Sequence, residues 1–304
     1  KEEPRLVAIT AAMTEGTGLN FMSRELPKRV FDVGICEQHA VTFAAGLATQ
    51  GYIPVVAIYS TFLQRALDQI IHDVCMQNLP VVFAIDRGGI VGEDGKTHQG
   101  SFDLSYLSFI PNMVLAAPKD ENELRHLLYT AVRSKRPFAI RYPRGRDLGV
   151  PLDEELREIP IGTWEILRDG NDAVIFAVGC SVSYSITAAE KLAKAGIECA
   201  VVNSRFIKPP DYDMISALAG SHKRFVTVEE NAVCGGFGSA VAQLIKQANP
   251  EAVVECIGIP DEFVAHGSQQ LLRAKYKLDA DGIAQRIAST FPELSARTPA
   301  KHKR

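Results

Sequence analysis

Short runs of consecutive apolar residues alternate along the chain with longer stretches in which apolar residues return every three or four positions. The first pattern reads as a strand buried on both faces, the second as an amphipathic helix laid against it. In the first half this predicts strands at Leu6 to Thr10 and Val30 to Val33, a helix over Glu37 to Thr49, a strand at Val55 to Tyr59, a helix over Thr61 to Met76 and a strand at Val81 to Asp86. A polar, glycine-rich loop runs from Arg87 to about Tyr106, followed by a strand at Met113 to Ala116, a helix over Glu121 to Val132 and a strand at Phe138 to Tyr142. The stretch "PRGRDLGVPLDEELREIP" carries no sustained period. Beyond it, "DAVIFAVG", "IECAVVNSRF", "RFVTVEEN" and "AVVECIGIP" read as strands, with helices near Ser181 to Ala195, Asp211 to Leu218, Gly238 to Gln247 and Ala280 to Thr290. Such alternation builds parallel sheets covered by helices. The expected fold is α/β, two doubly wound, mostly parallel sheets: a first domain over residues 1–146, a linker over 147–160 and a second domain over 161–304. The closing "ARTPAKHKR" has the composition of a frayed tail.

Composition narrows the partners. A net charge of -3, from 33 basic and 36 acidic residues mixed along the chain, offers no basic field for nucleic acid and no acidic tail. No apolar run approaches the ~18 residues of a membrane span, so small molecules or other protein chains are expected. The six cysteines form no C-x-x-C pair and show no zinc-ligand spacing. They are expected to be reduced thiols, in a bacterial cytoplasm or a plastid-like compartment. The chain starts at Lys1 without a basic-then-apolar leader, and a segment upstream is expected to be missing.

Ligands gather at the carboxyl ends of parallel strands, which ranks the candidate residues. Glu37 stands at the seam of "FDVGICEQHAVTFAAGLATQG", where apolar neighbours favour the protonated carboxyl and the helix dipole favours the anion. It suits a proton donor, or an exposed first-turn acid that complements the helix. In "VVAIYSTFLQRALDQIIHD", Ser60 as N-cap would place Phe62, Arg65 and Gln69 on one helical face. A ring beside a guanidinium suits an aromatic cofactor and an anionic group, or simply core next to a solvated charge. The loop "RGGIVGEDGKTHQGSFDLSY" is long for a compact domain and carries Asp94 and His98 among glycines. At "FAIRYPRG" a strand ends with Arg141 and Arg144 around a proline, presenting at least one of them for a phosphate. The turn "VCGGFGSAV" before a helix reads as an anion site or, more simply, as a tight strand-to-helix turn.

Together "FDVGICEQHAVTFAAGLA", "YSTFLQRALDQIIHDVCMQNLPVVFAIDR", "GEDGKTHQGSFDLSYL", "RYPRG" and "PDEFVAHGS" resemble the C-terminal half of the 1-deoxy-D-xylulose-5-phosphate synthase family, from about Arg5 to Thr290. These thiamine diphosphate enzymes are related to transketolase. The resemblance implies a pyrimidine-binding domain followed by a C-terminal domain. It also implies a missing N-terminal half that holds the diphosphate and the Mg2+ ligands, and a homodimer. It implies condensation of pyruvate with D-glyceraldehyde 3-phosphate, with loss of carbon dioxide, to give a precursor of isoprenoids, thiamine and pyridoxal. By resemblance Glu37 exchanges a proton with the aminopyrimidine and Phe62 stacks on it. Tyr59, Arg65, Asp94, His98 and Arg144 hold the phosphorylated acceptor or act on intermediates, with Arg144 preferred to Arg141. The isolated chain is then expected to be inactive. The same two domains also suit the beta chain of a 2-oxoacid dehydrogenase, a split transketolase subunit or a non-catalytic assembly protein.

Overall fold

The computed structural model describes residues 2–295; the predicted tail lies outside the described residues. The first domain holds β1 (Leu6–Thr10), α1 (Leu19–Glu25), β2 (Val30–Asp32), α2 (Glu37–Thr49), β3 (Ile53–Tyr59), α3 (Ser60–Leu63), α4 (Leu67–Gln69), β4 (Val82–Asp86), α5 (Asp103–Ser108), β5 (Val114–Ala116), α6 (Glu121–Ser134) and β6 (Phe138–Arg141). The second holds β7 (Glu165–Arg168), β8 (Ala173–Ala177), α7 (Ser181–Lys194), β9 (Cys199–Asn203), β10 (Phe206–Lys208), α8 (Tyr212–Ser221), β11 (Arg224–Ala232), α9 (Phe237–Ala248), β12 (Val253–Ile259), α10 (Gln269–Tyr276), α11 (Ala280–Thr290) and α12 (Pro292–Ser295).

Two sheets result, ordered β10-β5-β6-β4-β3-β1-β2 and β12-β11-β8-β9-β7. Every pairing is parallel except those of β10 with β5 and β7 with β9. The central strands are apolar throughout because helices cover both faces: β8 is buried at all five positions and β3 at all but its first. The expected α/β fold with two doubly wound, mostly parallel sheets is the fold observed.

Three expectations need correction. "IECAVVNSRF" is not one strand: it breaks after Asn203, and Phe206–Lys208 crosses to pair antiparallel with β5 of the first sheet. Both pieces are mostly apolar and buried, so periodicity cannot show that they belong to different sheets. The glycine-rich loop closes at Phe102, earlier than expected, because Asp103 opens α5 with its carboxylate taking the Leu104 N–H. The helix after β3 lacks a Ser60 cap: Ser60 is already helical, and its buried Oγ finds no partner among the described residues. A 3₁₀ turn at Gln64–Ala66 and a π-helical turn at Ile70–Cys75 then interrupt the regular period, so Gln69 does not follow Phe62 and Arg65 by simple spacing.

The domains are locked by buried charge. Arg141, at the end of β6, meets the Asp103 carboxylate at 3.2 Å and donates to the Glu230 carbonyl at 2.6 Å. The Glu230 carboxylate, on β11, takes the Ile90 N–H at 3.1 Å and pairs with Arg273. All six cysteines are free thiols, and no helix among the described residues is long and apolar enough to cross a membrane.

Candidate active site

Glu37 sits in the first turn of α2, entered through Gly34, whose φ of 73° is the left-handed turn that joins β2 to the helix. The exposed-acid alternative does not hold, since Glu37 is only 3 % exposed. Its Oε1 takes a hydrogen bond from Arg65 Nη1 at 2.9 Å, while Oε2 has no partner among the described residues. Arg65 also lies over the Phe62 ring, 5.2 Å from its centre. On its other sides Phe62 stacks near Tyr59, at 5.8 Å and 19°, and meets the His98 imidazole edge-on at 5.4 Å.

From Tyr59 the contacts continue. The Arg87 guanidinium covers the Tyr59 ring at 3.7 Å and stands 4.0 Å from Asp94 Oδ2. Arg144 Nη1 reaches the same oxygen at 3.5 Å. Glu37, Tyr59, Phe62, Arg65, Asp94, His98 and Arg144, read from four separate segments, thus form one connected constellation at the carboxyl ends of β2, β3, β4 and β6. Thr61 Oγ1 ties the loop down by donating to the Thr97 carbonyl at 2.9 Å.

Arg141, the alternative to Arg144, is buried and committed to Asp103 and Glu230. Sequence reasoning missed two residues of the constellation, Asp86 and Arg87. Asp86 ends β4 and Arg87 follows it, the position the strand-end rule favours, and Arg87 has the left-handed φ of 60° that a residue with a side chain seldom adopts. Burial pushes the Asp86 carboxyl up to about 6 against the pull of the Arg87 N–H and the Arg87 and Arg144 charges. A groove of about 1370 Å³ opens at the opposite, amino ends of the strands of the first sheet, beside Leu6, Ile53 and Pro80. None of the constellation lines it.

The turn "VCGGFGSAV" is filled by the protein itself. The Glu229 carboxylate accepts the Phe237 and Gly238 N–H groups at 2.9 and 2.7 Å, and a Cβ at Gly236 would run into that carboxyl, one at Gly238 into the Thr227 hydroxyl. No anion from outside is needed there. Burial pushes Glu229 up to about 8 although both N–H groups favour the anion. Between the ordinary 4.5 and 8 the folded chain therefore holds a proton that the unfolded chain has released. This contribution to stability is complete below 4.5 and is lost as pH rises through 8, with a slope of up to about 1.4 kcal/mol per pH unit. Urea unfolding of the wild type and of Glu229→Gln across pH 5 to 8 should show the gap between them changing with pH. Parallel curves would mean that the folded carboxyl is ionised throughout.

No group of three or more His, Cys, Asp or Glu side chains among the described residues is placed to hold a metal ion. Comparison with known proteins gives two family matches: the transketolase pyrimidine-binding domain over residues 1–146 and the transketolase C-terminal domain over residues 162–283. A 1-deoxy-D-xylulose-5-phosphate synthase of Dehalococcoides mccartyi is 59% identical over 99% of this chain and 46% of its own length. 1-Deoxy-D-xylulose-5-phosphate synthase 1 of Geobacter sulfurreducens is 57% identical over 99% of this chain and 47% of its own. The chain thus spans about half the length of the curated relatives it matches. Among solved structures, a split-gene transketolase, described as an inactive β4 tetramer, superposes with a TM-score of 0.83 at 30% identity, covering 96% of this chain and 93% of that one. The chain belongs to the transketolase family, with that family's pyrimidine-binding domain followed by its C-terminal domain, and its sequence is most like those synthases among these relatives.

Proposed function

We propose that this chain forms the aminopyrimidine-binding and C-terminal parts of a thiamine diphosphate-dependent transferase. The enzyme condenses pyruvate with D-glyceraldehyde 3-phosphate, releasing carbon dioxide and forming 1-deoxy-D-xylulose 5-phosphate. The observation that carries this reading is the unbroken run of contacts from Glu37 through Arg65, Phe62, Tyr59 and Arg87 to Asp94 and Arg144.

The residues fit the cofactor. An aminopyrimidine needs a carboxyl at its ring nitrogen and an aromatic face to lie on, and Glu37 and Phe62 supply both, with Arg65 between them. When bound, thiamine diphosphate supplies the nucleophilic carbon and the electron sink for decarboxylation. Glu37 holds and moves the proton at the ring nitrogen through Oε2. Arg87 and Arg144, both near Asp94, offer forked donors to a phosphate dianion, which replaces the carboxylate as their partner. Arg65 adds positive charge at Phe62, Tyr59 supports Arg87, and His98, edge-on to Phe62, is assigned the proton transfers on the acceptor side. The Mg2+ and diphosphate ligands are assigned to a domain outside this chain. The working enzyme is read as a homodimer in the bacterial cytoplasm.

A second reading, a two-chain enzyme, draws support from the near-complete coverage of the split-gene transketolase. One assay tests the first. The complete polypeptide, with pyruvate, thiamine diphosphate and Mg2+, should release carbon dioxide faster when D-glyceraldehyde 3-phosphate is added, and deoxyxylulose phosphate should appear. Residues 1–304 alone should be inactive until the diphosphate-binding part is supplied. Substantial turnover by this chain alone would refute the placement of the diphosphate ligands outside it.

A further inference from the structure

The loop that carries Asp94 and His98 leaves the first domain at β4 and is held by the second domain as well. Ile90 is buried in the second domain's apolar core with Val264 and Leu272. The Ile90 N–H donates to Glu230 Oε2 at 3.1 Å. Gln99 takes the Val91 N–H at 2.8 Å on its Oε1 and donates through Nε2 to the Ala265 carbonyl at 3.3 Å. Gly92, at a φ of 93°, lies so close to α10 that a Cβ would meet the Gly267 carbonyl at 3.0 Å and the Gln269 N–H nitrogen at 3.1 Å.

One side chain in this docking surface touches both segments that deliver the acceptor's binding groups. Gln269, first residue of α10, donates from Nε2 to the Ile90 carbonyl at 2.8 Å and to the Arg144 carbonyl at 2.9 Å. A carboxamide has two N–H donors, and here both are used across the domain boundary. The contact Arg144 itself makes with the loop is longer, 3.5 Å from Nη1 to the Val91 carbonyl.

We propose that Gln269 is a positioning residue for the phosphorylated acceptor: its carboxamide ties the loop bearing Asp94 and His98 to the strand end bearing Arg144, and so fixes the spacing of the groups that grip the phosphate. This rests on the acceptor reading given under Proposed function. Gln269 touches no substrate. It acts through the backbone of Ile90 and Arg144, so its loss should affect the acceptor and spare pyruvate, which carries no phosphate for these groups to grip.

The test uses the complete enzyme carrying Gln269→Met, close to glutamine in volume but without N–H donors. The KM for D-glyceraldehyde 3-phosphate should rise on the order of ten- to a hundredfold, the range expected when binding groups are misplaced by about an ångström. The KM for pyruvate should change less than about twofold, and amide exchange over residues 90–99 should quicken while β8 and β11 keep their protection. Equal losses for both substrates with a lowered unfolding midpoint would assign Gln269 a structural role and overturn the proposal. Unchanged acceptor KM with unchanged loop exchange would overturn it too. Should Q269M not fold, Q269N, one methylene too short to span both carbonyls, is read by the same two measurements. A wild type without acceptor-stimulated carbon dioxide release would instead defeat the functional reading, while loop exchange still reports whether Gln269 holds the two segments.

Discussion

Glu37→Gln in the complete enzyme should lower turnover by on the order of 10²–10⁴-fold, the usual worth of a positioned proton donor, and leave the fold intact. The substitution keeps the shape of the side chain and a carbonyl oxygen for Arg65, but an amide neither gives nor takes a proton at the position where Oε2 now stands open. Stability should change little. The ion pair that is lost has one half-exposed partner, Arg65 at 52 %, and such pairs contribute about 0–1 kcal/mol. Steady-state kinetics alongside a thermal unfolding scan separate these effects. Near-normal turnover would return Glu37 to a role in capping α2. Low turnover with a collapsed unfolding midpoint would make it a structural residue.

How much of this was legible in the sequence follows from the range of each interaction. Strands such as Ala173–Ala177 were readable because burial on both faces writes an unbroken apolar run. The short edge strand Glu165–Arg168 and helix Leu19–Glu25 carry weak local patterns and were not found; neither is well buried. The destination of Phe206–Lys208 could not be read at all, since pairing with β5 depends on how two domains meet. The constellation was legible where it lies at strand ends: Glu37, Phe62 and Arg65 stand where sheet turns into helix. Arg87 carries no local signal, since its role comes from Tyr59, on another strand, and from Asp94 across the loop. The bland reading of "VCGGFGSAV" was the right one for a reason invisible locally: Glu229 lies on the strand before it and fills the turn.

The two arginines of "FAIRYPRG" show the same limit and lead to the second large effect. Arg141 and Arg144 have similar local settings, but their partners lie far apart in the sequence: Asp103 and Glu230 for one, Asp94 for the other. Arg141→Met should destabilise the protein by about 3–5 kcal/mol, because it leaves the wholly buried Asp103 without its counter-ion. Most of that cost belongs to the stranded carboxylate. The double variant R141M/D103N should therefore recover part of it, a non-additivity that contacting residues show and distant ones do not. Arg144→Ala should behave in the opposite way. Its contact with Asp94 is partly solvated, so stability should shift by less than about 1 kcal/mol, while the KM for D-glyceraldehyde 3-phosphate should rise well beyond that for pyruvate. Denaturant melts and two-substrate kinetics on the three variants decide the matter. If R141M is stable and selectively impaired for the acceptor while R144A is not, the phosphate grip has been assigned to the wrong arginine, and the buried pair at Asp103 is a binding element that rearranges when substrate arrives.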